Sequence, residues 1–161
     1  MRNAVLFLLV AVPVLAPAVG TIHAHAEPAS HGSVLTGTIE SPICWSENFA
    51  SGEASGDLDG SFSVAFDCAQ GTISGGTWVI VVTTRAADGT SEVRATVRGR
   101  VLHGAFEADQ EGQRVVMRDV ALVVTEGTGD YAGIADGTGL LNAMSDPTGT
   151  PQFAGTIGLT F

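Results

Sequence analysis

The sequence contains no lysine and only two cysteines, Cys44 and Cys68, among its 161 residues. Seventeen acidic residues outnumber seven basic ones, all arginine, and the formal net charge is −10. Such a surface repels polyanions, so nucleic acid is not an expected partner. Two cysteines without converging histidines also fall short of the four ligands of a structural zinc site. We therefore expect neither a metal nor another cofactor.

Long apolar runs are missing beyond the N-terminal segment. The apolar stretch Ala4–Val19 follows a basic start, is interrupted by two prolines, and leads to the small-x-small sequence Ala24–Ala26. These features are typical of a secretory signal peptide and not of a membrane span, which needs about 20 apolar residues. We predict a signal peptide over residues 1–26, cleaved after about Ala26, and one domain over residues 27–161. The mature chain is expected to be secreted, without a membrane span.

The two cysteines are interpreted in the light of this predicted export. In an oxidising compartment a lone pair of cysteines usually forms a bond, so we expect a disulfide between Cys44 and Cys68. A redox or metal-binding pair would need closer spacing or histidine partners.

Helical periodicity is nearly absent, and alternation with a period of two replaces it. In Ser61–Asp67 the apolar side chains Phe62, Val64 and Phe66 share one face, and the residues from Phe153 to Phe161 repeat the pattern. Turn residues, among them Asp57–Gly60 and Asp88-Gly89, separate the strands. Further strands are predicted over 33–39, 49–56, 76–84, 91–101, 104–108, 113–125 and 137–143. Eight or nine strands joined by hairpins predict an all-β protein, a single antiparallel β-barrel whose last strand fills the seam.

A glycine-rich segment, Glu126–Gly137, lies between two of these strands and allows two interpretations. A phosphate-binding loop requires a lysine or a G-x-G-x-x-G spacing that opens a helix. Gly127-Thr128-Gly129 is followed by glycine one position too late, and no helical pattern follows. The sequence therefore favours the corner of a β-barrel.

The run from Val123 to Gly137 resembles the "GGTGxFxGAxG" signature of the allene oxide cyclase and dirigent-like β-barrels. The resemblance covers about residues 114–161 and differs at Glu126, which replaces a glycine of the signature. It implies that the glycines connect two barrel strands, that the aromatic residue plugs the barrel, and that the next strand begins at the last glycine. It also implies an enclosed interior and homo-oligomers. Catalytic residues do not transfer, because no counterpart of the acidic-asparagine segment of the plant cyclases is present.

Candidate site residues follow from strand parity. His103 continues the apolar face of Val97 and Val101, and Asp119 alternates with Met117, so both are weak candidates for an inward-facing catalytic acid or base. The alternatives are a turn histidine and a β-bulge or ion pair at Arg118-Asp119.

Three aromatic residues are weak candidates for ligand binding. Tyr131 either plugs the barrel or presents its hydroxyl to a ligand. Trp45 is expected to pack against the disulfide or line the barrel mouth, and Trp78 to lie in the core, although either could stack on a flat ligand.

Arginines alternate along the strand predicted at 91–101. Arg94, Arg98 and Arg100 share a face opposite to Ala95 and Val97. We interpret this face as a solvated surface paired with acidic neighbours on the next strand. The alternative is an arginine cluster that recognises an anionic ligand or partner.

Three functions fit this barrel. The first is a non-catalytic protein that binds a small apolar or aromatic molecule in the barrel. The second is a cyclase or isomerase that acts on a ligand inside it. The third is a filled barrel that serves as a structural or protein-interaction module. An open cavity with an ionisable group would favour the second, an apolar cavity the first, and large side chains meeting across the axis the third.

Overall fold

The computed structural model describes residues 28–39, 48–69, 72–108, 115–145 and 152–161. Eight strands run in chain order: β1 Ser30–Ile39, β2 Asn48–Gly56, β3 Gly60–Ala69, β4 Thr72–Arg85, β5 Ser91–Ala108, β6 Val115–Gly129, β7 Thr138–Ser145 and β8 Gln152–Thr160. Each strand pairs antiparallel with its neighbours in sequence, and β1 pairs with β8, so the sheet is a closed barrel. The predicted all-β antiparallel barrel is confirmed. No helix long and apolar enough to cross a membrane occurs in the described ranges.

The seam between β1 and β8 closes the barrel. Pairing runs without a register shift from Ser30 opposite Thr160 to Thr38 opposite Gln152. Beyond it, Ala29 and Phe161 exchange two backbone hydrogen bonds, with N–O distances of 3.0 and 3.1 Å. Because antiparallel pairs of this kind satisfy every second backbone group on each strand, the closure leaves neither terminal strand as an exposed edge.

The strand count is eight because one predicted break is absent. The segments predicted at 91–101 and 104–108 form the single strand β5, which pairs with β6 across register shifts near Val101 and His103. A bulge inserts an extra residue without ending the ladder, and it is difficult to distinguish from a turn in the sequence. The predicted break at residues 102–103 is therefore wrong.

Two predicted turns are confirmed. The chain turns between β2 and β3 at residues 57–59, and between β4 and β5 around Asp88-Gly89. In the second turn, the hydroxyl and the backbone N–H of Thr90 both donate to Asp88 Oδ1, at 2.6 and 2.9 Å. These hydrogen bonds lower the pKa of Asp88 below its ordinary value. The carboxylate thus holds the turn in its ionised form.

The barrel interior is filled by the inward-facing side chains. Phe62, Val64 and Phe66 are buried as the alternation predicted, and so are Phe153 and Ile157 on the last strand. The rings of Phe62 on β3 and Phe153 on β8 meet across the axis, with centroids 5.7 Å apart and planes tilted by 35°. An eight-stranded barrel is just wide enough for its side chains to fill.

Truncation of one interior ring tests this packing. We expect Phe62→Ala, which removes a ring that is 5% exposed, to lower the free energy of unfolding by about 3–5 kcal/mol, because it leaves a cavity. The matched control Val93→Ala, at a side chain that is 67% exposed, should cost less than about 0.5 kcal/mol. Urea unfolding measures both. Equal effects of the two substitutions would contradict a packed interior.

Candidate functional site

The interior offers little room for a ligand. A residual space of about 10 Å³ lies between core side chains that include Leu35, Phe62, Trp78 and Leu141. A single water molecule needs at least about 10–15 Å³ measured in this way. Side chains from opposite strands therefore occupy the volume in which a small molecule would have to bind.

The described interior also contains no charged side chain. Its buried polar residues are Ser33 and Ser145. The Ser33 hydroxyl accepts a hydrogen bond from the backbone N–H of Leu58 at 3.1 Å and donates to its carbonyl at 3.4 Å. Because Leu58 lies in the turn between β2 and β3, Ser33 fastens that turn over one end of the barrel. No acid or base is thus buried among the described residues.

His103 and Asp119 do not face the interior, and the expectation based on strand parity is wrong for both. Both side chains are exposed. The register shifts on either side of His103, and it shifts again between Met117 and Val120. Each shift reverses which face the following residues occupy. The bulge considered as the alternative at Arg118-Asp119 is present.

Asp119 adopts the left-handed backbone conformation in this bulge, with φ of 49°. Its backbone N–H donates to Asn142 Oδ1 on β7 at 2.9 Å, which replaces a lost ladder contact. The residue is therefore held by its backbone, and its carboxylate points away from the core. A catalytic role for His103 or Asp119 stays a prediction without support from their positions.

The glycine-rich segment forms a turn between β6 and β7. The N–H of Tyr131 donates to the carbonyl of Thr128 and that of Ala132 to Gly129, at 3.1 and 3.0 Å. Gly129 has a φ of 59°, which favours glycine. β7 begins at Thr138 with no intervening helix. The segment is a barrel corner, and it lacks the helix that a phosphate-binding loop requires.

Close packing also explains Gly127 in this corner. A Cβ atom there would lie 2.2 Å from the carbonyl oxygen of Tyr131 and 2.4 Å from Cγ1 of Ile134. Only a residue without a side chain allows the corner to fold back against β6. The glycine spacing therefore serves the fold of the corner.

Tyr131 covers the end of the barrel as part of an aromatic cluster. It is half-buried and packs against the core. Its ring meets those of His31 and Phe161 edge-on, each at a centroid distance of 5.7 Å, and His31 stacks on Phe161 at 4.5 Å. The cluster joins the corner to both strands of the seam. The hydroxyl of Tyr131 lies 3.5 Å from the carbonyl oxygen of Asp57, at the limit of a hydrogen bond.

The other aromatic candidates divide between the core and the part of the chain that is not described. Trp78 is buried, and its indole N–H has no partner within the described residues. Trp45 and Cys44 lie outside the described residues, and Cys68 is half-buried at the end of β3. The Cys44–Cys68 disulfide thus stays a prediction. No group of potential metal ligands is found in the described ranges.

Two arginines of β5 pair with acids at and just after the end of β6. Arg98 Nε donates to Glu126 Oε2 at 3.0 Å, and Arg94 forms an ion pair with Asp130. All four side chains are about half exposed, so each pair stabilises the fold only slightly. This confirms the solvated, cross-strand interpretation. Arg100 has no ionic partner among the described residues.

A surface without charge lies on the three strands that follow β6 around the barrel and was missed in the sequence. We define the neutral face as the outward residues of β7, β8 and β1, which are adjacent strands. Each of these side chains is uncharged, and several are apolar and exposed. They are Thr138, Leu140, Asn142 and Met144 on β7, Gln152, Ala154, Thr156, Gly158 and Thr160 on β8, and Ser30, Gly32, Val34, Thr36 and Thr38 on β1.

Shallow grooves follow the neutral face. Two grooves of about 950 and 740 Å³ share Val34, Asn142 and Thr156 in their walls. Val34 is 53% exposed, Leu140 48% and Met144 44%. The period-two pattern of each strand shows that its outward residues are uncharged. These residues form one continuous surface only because the strand order places β1 beside β8 and β8 beside β7.

Substitutions at Tyr131 test whether it acts as a plug or through its hydroxyl. We expect Tyr131→Phe to change the free energy of unfolding by less than about 0.5 kcal/mol, since its hydroxyl makes one long contact. Tyr131→Ala should cost about 2 kcal/mol, because it removes a half-buried ring from the cluster that covers the seam. Chemical denaturation measures both. A large loss with Tyr131→Phe would show that the hydroxyl is essential.

The chain was compared with known proteins. No family model matches the chain, nor does any curated protein or solved structure. The resemblance to the allene oxide cyclase and dirigent-like barrels stays a prediction.

Proposed function

We propose that this chain is a secreted β-barrel protein that acts through its outer surface as a structural or protein-interaction module. The observation that carries the proposal is the filled interior, where a space of about 10 Å³ remains between the core side chains. A protein that binds small molecules usually offers a concave pocket of about 300–1,000 Å³. Concave spaces of about 950 and 740 Å³ that described residues line lie outside the barrel.

A small apolar ligand inside the barrel, or a cyclase acting there, remains a prediction with less support. Either function requires Phe62 and Phe153 to separate, and a close-packed core resists such an opening. Acid–base chemistry would also require an ionisable group inside, whereas the described buried residues are apolar apart from Ser33 and Ser145. The geometry thus favours a non-enzymatic protein.

Secretion is part of the proposal and is supported by the sequence. The pattern of residues 1–26 is typical of a signal peptide. The expected Cys44–Cys68 bond fits the same compartment and would fix the end of β3 to the segment before β2.

The neutral face is the part of the outer surface that best supports binding. Isolated exposed apolar residues are common, but Val34, Leu140 and Met144 lie within three adjacent strands and share a surface with no charge. Interface centres are depleted in charged residues, whereas the remaining protein surface is not. An uncharged region of this extent is unusual on the surface of a chain whose net charge is −10.

A comparison of the unmodified protein with the variant Phe62→Ala, whose truncated side chain leaves a cavity in the core, tests the proposal. Benzene should not raise the melting temperature of the unmodified protein, because no interior site accepts it. It should raise the melting temperature of Phe62→Ala, since apolar cavities of this kind bind benzene. Native mass spectrometry of the unmodified protein should show no retained small molecule. A stoichiometric ligand, or an equal benzene effect on both proteins, would contradict the proposal.

A further inference from the structure

We propose that the neutral face is the interface of a two-fold dimer, so that the partner is a second copy of this chain. The inference rests on the proposed function, since it names the partner of the outer surface.

The charge distribution selects the partner. The net charge of −10 makes two copies repel each other over most of their surfaces. On the neutral face, contact brings no charged side chain into the centre of the interface. A basic partner protein would be drawn instead to the acidic surface. An uncharged face on an acidic barrel therefore suits a second copy of the same barrel.

The shape of the neutral face is complementary to itself. Leu140 lies beside Gly158, which lies beside Gly32, in one row across the three strands. Leu140 projects with 48% of its surface exposed, whereas a Cβ added at either glycine would have no neighbour within 4 Å. A raised leucine thus stands next to an open recess formed by two glycines.

A two-fold axis parallel to β8 brings these features together. It lays β7 of each copy over β1 of the other, and Leu140 then faces the recess at Gly32 of the second copy. A two-fold interface repeats every contact twice, as isologous dimers do.

The neutral face has the area of a weak dimer interface. Its three strands of eight to ten residues, at about 3.3 Å per residue and about 4.8 Å apart, give a footprint of roughly 430 Å² per copy. Standard interfaces bury about 800 Å² per partner, and weak or transient ones bury less than about 600 Å².

Sedimentation velocity of the full-length chain expressed in an exporting host, at about 1–100 μM, tests the proposal. We expect a dimer at the upper concentrations. Leu140→Glu should weaken dimerisation at least tenfold, because it places a charge in the interface. The matched control Val93→Glu, at an exposed valine on β5, should leave it unchanged. Gly158→Val should also weaken dimerisation at least tenfold by filling the recess, although a Cβ added there has no neighbour within 4 Å in its own copy.

Circular dichroism and urea unfolding, extrapolated to the monomer, should show that Gly158→Val folds as the unmodified protein does. A monomer at every concentration, with or without residues 1–26 attached, would overturn the proposal. So would a dimer that tolerates Leu140→Glu and Gly158→Val as well as Val93→Glu. Neither result would contradict the proposed function, which fails only if the barrel interior binds a small molecule.

Discussion

The pairing of β1 with β8 is the constraint on which the rest of this structure depends. It turns a sheet of eight consecutive hairpin-connected strands into a cylinder with a fixed circumference. The inward side chains then have one volume to fill, and large aromatic residues from strands three positions apart around the barrel meet across it. An open sheet of the same strands would leave these residues against solvent. Because the closed barrel is filled by these side chains, the outer surface is the part of the protein that we propose for binding.

One end of this cylinder is covered by short polar and aromatic contacts, because the turn before β3 and the corner after β6 both lie there. Ser33 holds the turn before β3 through the backbone of Leu58. Tyr131 packs against His31 of β1 and against Phe161, which directly follows β8. The glycine-rich corner is therefore a support for closure, and its left-handed Gly129 and crowded Gly127 follow from the tight path of the backbone.

The sequence predicts the faces of the regular strands well and fails where the ladder is irregular. Alternation correctly predicts that Phe62 and Phe153 lie inside, because both belong to strands with regular pairing around them. The same rule misplaces His103 and Asp119, since each lies at a bulge that reverses the parity. A bulge is defined by how two paired strands align, with two residues of one strand opposite one residue of the other. The residue pattern of one strand alone therefore does not predict it. The neutral face has a different origin, because its existence depends on which strands become neighbours.

Two sides of the barrel differ in their chemistry. On β5 and around the end of β6, arginines and acids form two exposed pairs. On β7, β8 and β1, outward positions are uncharged, with projecting side chains beside glycines. This asymmetry gives the barrel one surface that favours solvent and one that favours contact. Since the core is closed, the difference between the two surfaces carries the functional interpretation.

Amide hydrogen exchange across the seam tests the central claim most directly. If β1 and β8 close the barrel, the amides that pair Ser33 with Ile157 and Leu35 with Gly155 should exchange as slowly as those between β3 and β4. Exchange of the β1 and β8 amides at the rate of an exposed edge, with β3 and β4 still protected, would contradict a closed barrel.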